Sequence, residues 1–245
     1  MRAAIVSDIH SNLAALEATL ADIDARSGVG ELWNLGDIIG YGPDPVDCIR
    51  LIRKRASLSI VGNHDLAAIG SISTDDFNPH ARAACLWNGK QLSGEDIAYL
   101  KALPQKLGRS EFTFVHGSPR APVWEYIVDS TVATANFEHF DTRFCLVGHS
   151  HVPFVAAEPQ SLLLGEMSEF PLGRPVQLGA RRLIINPGSV GQPRNNDPRA
   201  SYAIYDSEKK TVQRFCVQYD IEKTQKKMRL AGLPTSLIDR LSLGV

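Results

Sequence analysis

Carboxylates, imidazoles and one carboxamide recur in five short clusters: Asp8-Ile9-His10, Gly36-Asp37, Gly62-Asn63-His64-Asp65, His116-Gly117 and Gly148-His149-Ser150-His151. Five of the seven histidines lie in these clusters, whereas His80 and His139 stand apart and read as ordinary loop or core residues. A mixture of carboxylate, imidazole and amide oxygen suits Zn, Mn, Fe or similar divalent ions better than Ca or Mg alone. On an extended backbone, side chains at i and i+2 point the same way. Asp8-x-His10 and His149-x-His151 could each direct two ligands toward one site on that basis.

Each cluster follows a short apolar run, so strands must position them. Residues 3–7, 31–35, 58–61, 112–115 and 144–147 read as strands. Ligands in open α/β sheets bind at the carboxyl ends of strands, and side-by-side strands would gather the five clusters at one edge. Between them, Leu13, Leu16, Leu20 and Ile23 recur at helical spacing behind Ser11 as a candidate cap. Residues 43–55 form a second helical stretch, and residues 74–103 are mostly helical with a break at Ser93-Gly94. After His151 the pattern turns strand-rich: 152–157, 161–164, 182–185, 201–206 and 212–219, separated by Pro and Gly. A last helix is expected from Asp220 to about Leu230, followed by a short tail. With no repeat or linker, residues 1–245 are expected to form one domain.

The formal net charge of −1 excludes a global attraction to nucleic acid or anionic membrane. No apolar run approaches the length of a membrane span, and the N-terminal apolar stretch is too short for a signal-peptide core. Cys48, Cys85, Cys145 and Cys216 never form a C-x-x-C pair and read as thiols rather than a zinc or disulfide framework. A cytoplasmic protein is expected.

The ordered series D-x-H, G-D, G-N-H-D, H-G and G-H-x-H resembles the calcineurin-like metallophosphoesterase superfamily. Asn186-Pro-Gly-Ser-Val-Gly191 further resembles a segment of its small bacterial and archaeal phosphodiesterase branch. The resemblance implies an α/β fold, a four-layer α/β/β/α sandwich of two mixed sheets flanked by helices. It implies two divalent metal ions (Mn, Fe, Zn or similar), one held by Asp8, His10 and His151 and the other by Asn63, His116 and His149, with Asp37 bridging. A hydroxide between the ions would attack phosphorus. His64 would protonate the leaving oxygen, Asp65 would fix its tautomer, and Asn12, Asn63 and His64 would lie near the phosphate.

The substrate is expected to be a small phosphate ester or nucleotide. A protein phosphatase of this superfamily usually carries an Arg after G-D and G-N-H-E; here the residues are Gly36-Asp-Ile-Ile-Gly-Tyr-Gly42 and Gly62-Asn-His-Asp65. Phosphodiester hydrolysis is the leading expectation. The alternatives are a phosphomonoesterase, a dinucleoside polyphosphate hydrolase, or a protein-binding scaffold that has kept the fold. Arg120 and Arg194 read as solvated rather than phosphate-binding. Trp87, Trp124 and Tyr126 read as packing residues or as platforms for a base. Residues 186–191 read equally as a turn or as a cleft wall whose amides meet an anion.

Overall fold

A computed structural model describes residues 1–160 and 165–245. The strand expected at 161–164 lies outside the described residues. Among the described residues, twelve strands build two six-stranded sheets. The first contains β1 (Arg2–Val6), β2 (Val29–Asn34), β3 (Leu58–Ser59), β9 (Pro175–Gln177), β11 (Ala200–Asp206) and β12 (Thr211–Val217). The second contains β4 (Lys106–Arg109), β5 (Phe112–Val115), β6 (Phe144–Leu146), β7 (Phe154–Ala157), β8 (Glu166–Glu169) and β10 (Leu183–Asn186). Their orders are β3-β2-β1-β11-β12-β9 and β4-β5-β6-β10-β7-β8. Both are mixed: β1, β2 and β3 run parallel, as do β5, β6 and β10, while the remaining pairs are antiparallel.

Strict alternation along each central strand makes four layers. Ala3, Ile5, Phe112, Phe114, Phe144, Leu146, Leu183 and Ile185 face the core between the sheets. Their neighbours Ala4 and Val6 turn outward onto α1 (Leu13–Ala25) and α2 (Pro45–Arg55), through Leu16, Leu20, Ile49 and Ile52. Val115, Cys145, Val147 and Ile184 turn the other way, onto Ala133 of α6 (Ser130–Asn136) and onto Phe137 and Phe140. Both central faces are apolar, which is why these strands read as continuous hydrophobic runs.

The remaining helices are α3 (Asn63–Ala68), α4 (Pro79–Gly89), α5 (Gly94–Ala102), α7 (Ile221–Leu230) and α8 (Thr235–Asp239). The expected C-terminal tail is therefore partly helical: Leu237, Ile238 and Leu241 pack with Met228 against Ala81, Ala84 and Tyr41. Strands β4, β8 and β9 carry few apolar residues and escaped the periodicity reading. The cap of α1 is Asn12, whose Oδ1 accepts from the Ala15 amide at 3.2 Å, rather than Ser11, whose hydroxyl donates to Asn88. Three cysteines are buried and Cys216 is partly buried, all as free thiols. Among the described residues no helix is long and apolar enough to cross a membrane.

Candidate metal centre

The clusters converge because their strands are neighbours. β1 and β2 deliver Asp8 and Asp37, and the turn after β3 delivers Asn63 at the start of α3. From the other sheet, β5 and β6 deliver His116, His149 and His151. Backbone hydrogen bonds stitch the turns together: Asp8 N donates to Gly36 O at 3.1 Å, His10 N to Asp37 O at 3.0 Å and Gly148 N to His116 O at 2.8 Å. The His149 amide crosses between sheets to the Asp8 carboxylate at 3.1 Å.

The two H-bearing motifs are not extended. Asp8, His10, Asp37, His149 and His151 all take left-handed backbone, with φ of 54°, 49°, 51°, 64° and 60°. Non-glycine residues rarely occupy this region, and holding one there costs about 1–3 kcal/mol. The convergence of Asp-x-His therefore comes from sharp turns locked by the backbone bonds above, which corrects the extended-strand reading.

All seven expected ligands are buried. Asp8, His10 and His151 offer donor atoms within 4.8 Å of one another, and so do Asp37, His116 and His149. His10 Nε2 and His151 Nε2 approach to 3.0 Å, close to the spacing of two imidazole nitrogens on one ion at roughly 2.0–2.1 Å each. Asp37 Oδ2 lies 3.5 Å from His10 Nε2 and 3.2 Å from His116 Nε2, between the two groups. Asp37 Oδ2, Asn63 Oδ1 and His116 Nε2 are buried without a hydrogen-bond partner; the 3.2 Å approach is not aligned as a hydrogen bond. Buried polar atoms are rarely left so, and divalent ions would satisfy all three. The donor set therefore fits the expected metals.

The imidazoles are oriented from behind. Nδ1 of His10, His116 and His151 faces the carbonyls of Ile39 (3.2 Å), Leu35 (2.9 Å) and Gln192 (2.6 Å). A carbonyl only accepts, so each Nδ1 carries a proton and Nε2 is the atom turned to the centre, where a metal could take its lone pair. His149 is reversed: its Nε2 donates to Trp124 O at 3.2 Å, which frees Nδ1. Burial pushes His10 and His151 well below the usual imidazole range and His149 down to about 3, keeping them neutral. Burial would lower His116 too, but the Asp37 carboxylate overrides it and raises the ring to about 9. Burial likewise pushes Asp37 upward, and the surrounding histidines, His116 first, reverse this and hold it ionised. Burial raises Asp8 to about 6, more than the opposing pull of His116 can offset. Crowded carboxylates and imidazoles in a dry site are costly unless a cation pairs with them.

His64 is packed by Tyr41 (ring centroids 4.5 Å), His10 (4.9 Å) and Phe77 (4.8 Å), and its Nδ1 has no partner. Gly40, at φ +139°, permits this: a Cβ there would lie 2.6 Å from His10 Nδ1 and 2.9 Å from His64 Nδ1. The expected Asp65–His64 hydrogen bond is not made. Asp65 instead accepts the amides of Ile39 and Gly62, both at 3.0 Å, fastening α3 to the turn after β2. Its role is to position backbone. His10, Asp37 and His64 also lie within 4.8 Å, and Asn63 and His149 line the same open pocket as His64, so it is the order of the sequence motifs that sets His64 apart from the ligands.

Asn12 is spent elsewhere as well. Its Oδ1 caps α1 and accepts from Thr224, and its amide donates to Gly191 O at 2.9 Å. These bonds make it a buried cross-link between α1, Thr224 of α7 and the turn at Gly191. Residues 186–191 form a brace rather than an anion cradle: the Val190 and Gly191 amides donate to Ser7 O and Asp8 O, and Asn186 Nδ2 donates to Gly148 O at 2.7 Å. Arg120 pairs with Glu125, away from the centre. Arg194 departs from the solvated reading. It donates to Tyr41 Oη at 3.2 Å and Gln192 Oε1 at 3.0 Å, and its Nε is buried without a partner. Its charge acts on Asp8, His10, His64 and His151. Trp87 packs against the cluster formed by α4, α7 and α8, His80 meets Ser236, and His139 lends only its carbonyl to Lys106. Tyr41, wedged between His10 and His64, was missed; its place four residues after Asp37 was the available signal. Phe77, in the loop before α4, carried no signal in the sequence.

Two mixed sheets between helices form a four-layer sandwich, with buried aspartates and histidines at the strand ends that could hold metal ions. A sequence model described as the calcineurin-like phosphoesterase superfamily domain matches residues 1–210. The chain belongs to this superfamily. It is 41% identical over 246 residues to an uncharacterized protein of Methanocaldococcus jannaschii, covering 98% of this chain and 97% of that one. The crystal structure of a metallophosphoesterase from Sphaerobacter thermophilus superposes with a TM-score of 0.91 at 48% identity, covering 100% of this chain and 99% of that one. A symmetrical bis(5'-nucleosyl)-tetraphosphatase of Pectobacterium carotovorum is 36% identical over 64 residues, 25% of this chain and 23% of its own length.

Proposed function

We propose that this chain is a dinuclear metal-dependent phosphoesterase that prefers phosphodiesters. The observation that carries the reading is the pair of buried donor groups flanking Asp37 Oδ2, together with the unpartnered Asn63 Oδ1 and His116 Nε2. Asp8, His10 and His151 would hold one divalent ion, and Asn63, His116 and His149 the other, with Asp37 shared. When bound, the ions would lower the pKa of a water and neutralise charge growing on the phosphoryl oxygens.

The protein's own part is orientation and proton delivery. The carbonyls of Ile39, Leu35, Gln192 and Trp124 hold four rings in the required tautomers. Burial pushes the His64 ring down to about 4; a phosphate anion bound beside it would raise it again and let it carry the proton that a departing oxygen needs. Arg194 would bind a phosphoryl oxygen through a charge-assisted bond. Arg194→Ala is then expected to raise KM roughly 10- to 100-fold, as loss of such a bond predicts, with kcat affected less and Arg194→Lys recovering part. Unchanged KM in steady-state assays would remove Arg194 from the site.

The full occupancy of the ligand positions argues against a scaffold, and the continuous core between the sheets supports a single domain over residues 1–245. Free buried thiols support a reducing, cytoplasmic setting. The local identity to a symmetrical bis(5'-nucleosyl)-tetraphosphatase favours dinucleoside polyphosphate hydrolysis as the second reading. Aryl phosphodiesters, cyclic nucleotides, dinucleoside polyphosphates and phosphomonoesters, each assayed with Mn, Fe, Zn and Mg, separate these readings. Diester turnover above monoester turnover supports the first; no turnover under any condition refutes both.

A further inference from the structure

A cavity of about 330 Å³ opens beside the metal centre. Its floor is Asn63, His64 and His149, so whatever fills it touches the reacting end of the site. Its walls are aromatic and come from two separate segments. Phe77, from the loop before α4, lies against His64 and meets Trp124 edge-to-face, with centroids 5.7 Å apart and planes at 86°. Tyr126, from the loop after β5, stacks on His149 at 3.7 Å and 22°. Trp124 and Tyr126 are nonetheless 39% and 45% exposed. Packing residues would bury that area; here it is left open toward a cavity.

The charge of the lining is informative. Among the described residues no Lys or Arg lines the cavity; Arg194 stands behind Tyr41, and Asp76 stands at the rim with Asn78. The aromatic arm itself thus offers a flat, uncharged substituent more contact than it offers a second phosphate. Flat aromatic walls select a flat ligand by stacking or edge-to-face contact. Asp76 can accept hydrogen bonds from it, and Asn78, whose Oδ1 caps α4, can donate through its side-chain amide.

We infer that the Phe77–Trp124–Tyr126 cavity is the specificity subsite for a planar aromatic group esterified to the phosphate, an aryl ring or a nucleobase. The inference rests on the phosphoesterase reading and names the substituent that this site selects.

Calorimetric titration of the manganese-loaded protein with non-hydrolysable ligands tests it. Methylphosphonate probes the phosphate position alone, phenylphosphonate adds an aryl ring, and a nucleoside 5′-methylenephosphonate adds a base. The expected result is phenylphosphonate binding about tenfold or more tighter than methylphosphonate. The ratio should fall to about one in Phe77→Ala and in Trp124→Leu, and Trp124→Tyr should restore most of it. A larger gain with the nucleoside ligand assigns the pocket to a base; a larger gain with phenyl assigns it to an aryl group. Equal binding of methyl- and phenylphosphonate, or a ratio untouched by both variants, overturns the subsite while leaving the phosphoesterase reading intact. Absence of binding by all three ligands overturns the phosphoesterase reading and the subsite with it.

Discussion

Asp37→Ala is expected to reduce phosphoester hydrolysis by more than about 10²–10³-fold, the scale seen when one transition-state-stabilising group is removed, and to deplete both metals rather than one. Asp37 Oδ2 is the atom flanked by both donor groups, at 3.5 Å from His10 Nε2 and 3.2 Å from His116 Nε2. Its loss would leave two positive ions close together with no shared anion. The substitution also removes the Oδ1 acceptor of the His64 amide at 2.9 Å, so Asp37→Asn is the companion variant: it can keep that hydrogen bond and remove only the charge. Metal analysis by mass spectrometry with matched circular dichroism spectra reads both variants. A folded Asp37→Asn protein with full metal and near-normal turnover contradicts the shared-ligand assignment.

His64→Ala is expected to keep both metals and to slow turnover in proportion to how poor the leaving group is. General acid catalysis contributes about 10²–10⁴-fold, so alkyl leaving groups should approach that loss and nitrophenolate should lose far less. The assignment stands on the position of His64 in the cavity wall and on its unpartnered Nδ1. A leaving-group series for wild type and variant reads the difference as a steeper slope. Parallel slopes would show that His64 does not supply the proton, and loss of metal would make it a ligand.

The candidate metal centre is legible in the sequence because strand ends concentrate chemistry. Alternation of Ala3 and Ile5 against Ala4 and Val6, or of Phe112 and Phe114 against Val115, lies within one strand and is visible without neighbours. Asp8, Asp37, His116 and His149 then follow from where the strands stop. What escaped the reading depends on distant partners. The left-handed turns at Asp8, His10 and His149 are held by bonds from Gly36, Asp37, Gly191 and across the sheets, none of them local to the motif. Asp65 looked like a partner for its neighbour His64, yet the amides of Ile39 and Gly62 claim it. Asn12 follows Asp-x-His, which in sequence places it near the phosphate, while its hydrogen bonds make it a helix cap tied to Thr224 and Gly191.

Edge elements failed for a different reason. Glu166–Glu169 and Pro175–Gln177 are short and mostly exposed, so they leave no hydrophobic period to detect. Arg194 and Phe77 reach the centre from loops outside the five motifs, and only the folded chain puts them there. The reaction centre is thus carried by local pattern, whereas the groups that would choose the substrate are assembled by tertiary structure.

The central claim is that these residues hold two ions at once. Manganese titration of the metal-free protein, followed by electron paramagnetic resonance and by hydrolysis of an aryl phosphodiester, tests it most directly. Two equivalents should bind and turnover should rise with the second. The signal should change from isolated Mn²⁺ to a spin-coupled pair, as expected for ions roughly 3.5–4 Å apart. Saturation at one equivalent, or full turnover with only the uncoupled signal, would contradict the dinuclear account.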